Sequence, residues 1–112
     1  MSEAKLARAP IEFGKEARLR AWFDELRERE SEVVETLRHE GVHTETAFIQ
    51  SFGGTTYLYV YMEAENLRVA DEAGDEEKYQ VDEEHHDVLR DVRVGDWEEL
   101  ETLGHFVNPS LR

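Results

Sequence analysis

Five histidines, one isolated glutamate and a row of tyrosines are the residues whose types could carry chemistry. An imidazole titrates near neutrality and also ligates metals, so each histidine is a candidate proton carrier. His85 and His86 adjoin in a stretch with helical periodicity. Neighbouring side chains on a helix diverge by about 100°, so the pair is poorly placed to share one ion. His85 falls on the apolar stripe. It reads either as a core histidine with one nitrogen satisfied, or as a proton carrier or polar anchor in a cavity between helix and sheet. His39 and His43 have the spacing of a helical metal pair, but Gly41 stands between them as a helix stop and argues against ligation. His105 lies beside Phe106 near the end of the chain, where it could reach the same cavity as His85.

Glu45 is the one charge between residues 41 and 62. Buried, its pKa would rise and it could serve as an acid or base; at the open end of a strand it would meet water. Tyr57, Tyr59 and Tyr61 alternate along the chain and so share one strand face. Such a row forms a sheet-to-sheet interface or lines a ligand pocket. Trp22 and Trp97 read as packing residues. The chain lacks a Gly-rich phosphate loop, a metalloprotease pair, a nucleophile elbow and a calcium loop. Asp71, Asp75, Asp82 and Asp87 are not spaced as an ion cage. With no cysteine there is no thiol nucleophile, disulfide or zinc-cysteine site. Neither a metal nor a cofactor is expected.

The 112 residues carry 27 acidic and 13 basic side chains, a formal net charge of −14. Phosphate-coating proteins are basic, so this charge argues against nucleic acid as a partner. No apolar run reaches 18 residues, so no membrane span is expected. The start of the chain has no apolar signal region, which argues against export. Residues 63–104 hold sixteen acids against four bases, and this excess coincides with helical periodicity. It reads as a solvated face, not a tail. Such a face repels itself in dilute salt, and the repulsion shrinks as the Debye length falls to about 3 Å near 1 M salt. With three lysines in the whole chain, the composition predicts a protein of a high-salt cytoplasm. An acidic surface built to capture a basic partner or to mimic DNA is the rival.

The elements that must position these groups follow from periodicity. Residues 3–11 predict a short strand, with Pro10 at an edge or strand end. From Gly14 to about Glu40, Leu19, Trp22, Phe23, Leu26, Val33, Val34 and Leu37 form one helical stripe. A straight helix there would be about 40 Å long, so a bend is expected at Arg29-Glu30-Ser31. Val42–Ser51 and Thr55–Met62 read as strands around Gly53-Gly54, a tight-hairpin signal. That register pairs Phe48 with Tyr59 and Ile49 with Leu58. Both hairpin faces are then apolar or aromatic, so both need cover. Asn66–Ala73 predicts a short helix closed by Gly74. A second helix opens at Asp82-Glu83-Glu84, with Val81, His85, Val88, Leu89 and Val92 inward. Trp97–Val107 predicts a last strand, disturbed at Gly104.

The order is β-α-β-β-α-β, and the expected fold is one α+β domain over residues 1–112. It is a ferredoxin-like, four-stranded antiparallel sheet with helices on one face. The other sheet face carries the tyrosines. Left open, it would exceed the apolar patch that monomers usually expose, and a second copy related by a two-fold axis covers it most simply. A homodimer through Tyr57, Tyr59 and Tyr61 is therefore expected.

Four stretches carry a family resemblance: His39–Phe48, Tyr57–Ala64, Glu84–Leu89, and Trp97–Leu100 with Gly104-His105-Phe106. From about residue 14 to 109 the chain resembles a family of small acidic haloarchaeal proteins of unknown function. That family is similar to the dimeric ferredoxin-like α/β-barrel group, which includes small monooxygenases and sugar mutarotases. The resemblance implies fold, source and dimer, and assigns no catalytic residue.

Two functions remain open from sequence. One is a homodimeric, cytoplasmic small-molecule-binding or non-catalytic domain. The other is a small cofactor-independent enzyme, mutarotase- or monooxygenase-like, acting on a sugar or quinone-like substrate between sheet and helices. His85, Glu45, Tyr59 and His105 are its candidate catalytic residues. A closed packing around His85 favours the first; an open cavity joining His85, His105 and a carboxylate favours the second.

Overall fold

In the computed structural model, which describes residues 2–111, the chain begins with β1 (Glu3–Ile11), α1 (Glu16–Glu28) and α2 (Glu30–Glu40). The hairpin β2 (Val42–Phe52) and β3 (Thr55–Ala64) follows, then α3 (Leu67–Asp75), α4 (Gln80–Val92) and β4 (Glu98–Glu99). The strands form one antiparallel sheet in the order β2-β3-β1-β4. This is the ferredoxin-like βαββαβ arrangement, with each helical stretch divided into two helices.

The hairpin has the register that its glycines predict. Gly53 and Gly54 take φ values of 60° and 82°, which residues with a side chain rarely adopt. Phe48 faces Tyr59, Ala47 faces Val60 and Ile49 faces Leu58. A bulge between Val42 and Thr44 shifts only the far end of β2. Strand alternation then sorts the residues. Ala47, Ile49, Leu58, Val60 and Met62 point toward the helices, and Phe48, Tyr57, Tyr59 and Tyr61 point away.

The first helical stretch breaks where its apolar stripe lapses. Arg29 leaves helical geometry (φ −107°, ψ 33°), and its backbone N–H still donates to the carbonyls of Glu25 and Leu26. Its guanidinium binds Glu25 at 2.7 Å, Glu32 at 3.0 Å and, from α4, Glu84 at 2.7 Å. The junction is thus clamped to a second helix while both halves keep their stripe over the sheet. Gly41 ends α2 in the left-handed region at φ 72°. One core cluster joins Ile11, Leu19, Trp22, Leu58, Val81, Val88 and Val92. A second joins Val42, Ala64 and Ala70.

Three boundaries differ from the expectation. First, α3 runs through Gly74 to Asp75, and the Asn66 side chain caps its start by accepting from the Val69 N–H at 2.9 Å. Second, α4 begins at Gln80, because Asp82 accepts the Tyr79 N–H at 3.1 Å and so sits inside the first turn. Third, the last strand is two residues long, where Trp97–Val107 was expected. Glu98 and Glu99 pair with Arg8 and Ala7, and the Leu100 N–H donates to the Leu6 carbonyl. The ladder ends at Leu100, before Gly104 is reached. Leu103 and Phe106 reach no sheet surface and stand 93% and 95% exposed.

Candidate functional site: a cavity between sheet and helices

A cavity of about 650 Å³ lies under the helices. Phe23, Leu26, Leu37, Ala47, Val60 and Met62 supply apolar wall. Lys5, Glu40, Glu45, Asp82, His85 and His86 supply polar groups. The volume is that of a pocket for a drug-sized molecule.

His85 reaches the cavity because α4 turns Val81, Val88 and Val92 into the core, and His85 follows the same stripe. On α1, Trp22 is 7% exposed, and its Nε1–H donates to His85 Nδ1 at 2.8 Å. The two rings stack at 28°, centroids 6.1 Å apart, and Phe23 meets the imidazole edge-on at 6.1 Å. Burial, with a smaller push from His86, lowers the His85 pKa to about 4. His85 is therefore neutral at ordinary pH. His86 is engaged elsewhere, its Nδ1 lying 2.9 Å from a Glu77 oxygen.

Glu45 shares the helix-side face of β2 with Ala47 and Ile49, as its register requires. The fold surrounds it, yet it stays open to solvent, because it faces the cavity. Burial raises its pKa, opposed by Lys5 and His86 and aided by Asp82. Glu40, the last residue of α2, is half-buried. Burial, and then Glu45, Asp82 and Asp71, push its pKa up to about 7. Among the described residues, neither Glu40 nor Glu45 has a hydrogen-bond or ion-pair partner. The cavity's ammonium is already taken: Lys5 Nζ lies 2.8 and 3.1 Å from the two Asp71 oxygens. A carboxyl of raised pKa in a cavity that a neutral imidazole also lines is a candidate for proton transfer.

His85 and Glu45 line the same cavity, and the other two candidates lie away from it. Tyr59 lies across the sheet. Its hydroxyl donates to Gln50 Oε1 at 3.2 Å and accepts from Arg8 Nη1 at 3.4 Å. Arg8 also covers the Tyr57 ring at 4.4 Å and binds Glu98 at 2.6 Å. Because strand residues alternate, no phenol of Tyr57, Tyr59 or Tyr61 can meet the ligand that His85 meets. His105 also lies away from the cavity. Its Nε2 sits 2.9 Å from Ser2 Oγ and 3.4 Å from Glu63 Oε2, while Ser2 donates to Glu63 at 2.7 Å. Glu63, 1% exposed, belongs to the tyrosine side of β3, so the shortened last strand carries His105 to the wrong face for catalysis with His85. His39 and His43 are split by the Gly41 turn: His39 faces Tyr79 edge-on at 6.1 Å, and His43 pairs with Glu65. Among the described residues, no three His, Asp or Glu side chains gather as metal ligands would.

Two participants escaped the sequence reading. Glu40 looked like a routine helix end before Gly41. Trp22 looked like packing, although a buried indole N–H needs an acceptor and His85 shares its inward stripe. That requirement was the available signal.

The sheet and helix arrangement recurs in solved structures. A candidate monooxygenase of Fusobacterium nucleatum is 13% identical with a TM-score of 0.62, over 88% of this chain and 41% of its own. This chain thus spans about two fifths of that protein's length. The Mycobacterium tuberculosis protein Rv0793 is 15% identical with a TM-score of 0.59, over 94% of this chain and 98% of its own. A candidate antibiotic biosynthesis monooxygenase of Nitrosomonas europaea is 13% identical with a TM-score of 0.57, over 88% and 86%. At such identities the likeness is one of fold. No curated protein matches the sequence. Across residues 2–111 the chain matches the model of one family, and it belongs to that family of unknown function, DUF6176.

Proposed function

We propose that the protein binds a small organic molecule in the cavity between sheet and helices and moves a proton on it without a cofactor. Glu45 is the acid–base group of this reading, and His85 is its neutral polar partner. The observation that carries it is a carboxyl with raised pKa and no partner among the described residues, facing a 650 Å³ cavity that a neutral imidazole also lines. Of the group expected for the enzymatic alternative, His85 and a carboxylate line this cavity and His105 stands apart from it. A panel of bicyclic phenols and ketones, followed by NMR of Ala47, Val60 and Met62 methyls, tests it. Shifts confined to those methyls support the reading. Silence there, or shifts at Phe48 and Tyr59 only, overturns it.

A second reading adds dioxygen, supported by the two fold neighbours described as candidate monooxygenases. A proton would leave an activated methylene, the carbanion would reduce dioxygen, and the carbon would end as a carbonyl with water released. Oxygen uptake on anthrone, lost in Glu45→Gln, is the expected result. No uptake with the anthrone bound leaves proton transfer alone.

For the open sheet face we infer a second copy of the chain as the cover. Leu6, Phe48, Tyr59 and Tyr61 line a shallow groove there, with Phe48 57% and Phe52 71% exposed. Light scattering in molar salt should give twice the chain mass, and Tyr59→Asp should halve it; an unchanged wild-type monomer refutes the dimer. For the medium we infer high salt, from the net charge of −14. The melting temperature should climb steeply with KCl, and a flat response counts against it.

A further inference from the structure

The Trp22–His85 contact has no part in a simple acid–base reading, yet it decides what His85 can offer a ligand. An indole N–H only donates, so the Nδ1 receiving it at 2.8 Å carries a lone pair and no proton. The neutral ring therefore holds its proton on Nε2. Protonating Nδ1 would set one N–H against another, so the contact reinforces what burial already does. Among the described residues, Nε2 has no protein partner. It is not closed off either, since the enclosed unsatisfied side-chain atoms are His39 Nε2 and Arg93 Nε. The open Nε2–H belongs to a residue that lines the cavity. The same cavity holds Glu45 without a partner, and a lysine already paired to Asp71. The lining thus offers a ligand a neutral donor and a carboxylate, and its two cationic side chains, Lys5 and Arg27, are paired to Asp71 and Asp24. Removing a proton beside a carbonyl needs that pairing: a base for the C–H, and a donor for the oxygen on which charge develops.

We propose that Trp22 is a positioning residue that fixes His85 as an Nε2–H donor, and that Glu45 and His85 together enolise a neutral, mostly apolar ketone. The proposal rests on the cavity being the ligand site. In the step, the C–H bond next to the carbonyl breaks and its proton passes to the Glu45 carboxylate. The C–H electron pair forms a C=C bond, and the carbonyl π pair moves to the oxygen, which accepts from His85 Nε2–H. Return of the proton to the same carbon exchanges it; return elsewhere isomerises the ligand. No oxidant or reductant is consumed. Anionic ligands are excluded by Glu40 and Glu45, and the apolar wall of Phe23, Leu26, Val60 and Met62 selects the body of the molecule.

The probe is 2-tetralone, a bicyclic ketone with exchangeable methylene protons, followed in D₂O by proton NMR near neutral pH. The protein should speed loss of the methylene signal over buffer. Glu45→Gln should lose about 100-fold. His85→Leu should lose about 100-fold, as for removal of an oxyanion donor. His85→Gln, whose amide N–H stands near the Nε2 position, should recover most of that loss. Long-range ¹H–¹⁵N correlation should show the Nε2–H tautomer of His85. In Trp22→Phe the His85 titration should rise by the part that the indole contact adds to burial, with exchange slower than in wild type. An Nδ1–H tautomer, or a Trp22→Phe titration that does not move, overturns the role of Trp22. If 2-tetralone shifts the Ala47 and Val60 methyls but exchanges no faster than in buffer, or His85→Leu matches wild type, enolisation falls and the ligand site stands. If 2-tetralone shifts no cavity methyl, both fall for ketones.

Discussion

The two faces of the sheet are made from the same strands, yet they are built on opposite terms. Toward the helices, β3 presents Leu58, 3% exposed, in the core, and β2 presents Glu45 to a cavity. Polar groups there are left without partners or are pushed off their ordinary pKa. Toward the open side, the phenol of Tyr59 is held between Gln50 and Arg8, Arg8 is held by Glu98, and Glu63 is met by Ser2 and His105. The Tyr59 hydroxyl and the Glu63 carboxylate thus have partners there, while Phe48 and Phe52 are exposed. Polar groups that line a cavity without protein partners, and whose pKa values are shifted, point to a ligand or to proton chemistry. Satisfied polar groups beside bare aromatics point to a protein surface that is covered by contact.

Substitutions on the two faces should separate these terms. The largest effect is expected from Leu58→Ala, about 3 kcal/mol of lost stability in denaturant unfolding, from a buried leucine with little room to collapse. A loss under about 1 kcal/mol would show that the cavity relaxes into the gap. On the other face, Phe48→Ala should cost folding no more than about 0.5 kcal/mol in dilute protein, yet weaken self-association by roughly tenfold or more. Equal folding costs on the two faces would erase the contrast.

The cavity carboxyl gives an effect of intermediate size that depends on pH. The Glu40 pKa rises to about 7 in the folded chain, above the 4.5 of an ordinary glutamate. The folded state then binds the extra proton between these values, so stability falls as pH rises from about 4.5 to 7 and the penalty is complete above 7. Glu40→Gln should therefore stabilise by about 1 kcal/mol at pH 8, after discounting for solvent screening at this half-buried site, and by nothing near pH 4. His85 has the opposite sign. Its pKa falls to about 4 from 6.5, so its share of stability is present above 6.5 and is lost as pH drops toward 4. In Glu40→Gln the acid limb of the stability profile should be that of His85, and Trp22→Phe should shrink it. A profile unchanged by both variants would mean that neither group is held as described.

The smallest effect is expected at the tail. His105→Ala should raise amide exchange over residues 100–111 with the melting temperature moved by no more than a degree or two, since the segment buries little apolar surface. A cooperative loss of stability would make the tail part of the core.

Much of the fold was legible because its signals are local. Gly53-Gly54 sets the hairpin register, Gly41 stops a helix with a left-handed residue, and the lapse at Arg29-Glu30-Ser31 marks the break between α1 and α2. The last strand was misjudged in length because alternation alone does not say whether an edge partner exists. Past Leu100 the chain leaves the ladder, and Leu103 and Phe106 end in solvent. The site was legible in part. Glu45 and His85 were visible as an isolated charge and a histidine on an apolar stripe. That His105 and Tyr59 could not join them depends on which side of the sheet each residue meets, and for His105 on a strand that ends early.

The order of residues by itself determined the strand and helix periods, the two faces of the hairpin and the placement of charge, because each follows from repeats of two and 3.6 residues and from the conformations open to glycine. Only the tertiary structure decided that Trp22 meets His85 across two helices, that Glu40 and Glu45 face one cavity, and that the lysine nearest them is paired to Asp71. These are contacts between residues up to 66 positions apart, and their burial sets the pKa values. No local pattern encodes a desolvation energy, which depends on everything packed around the group.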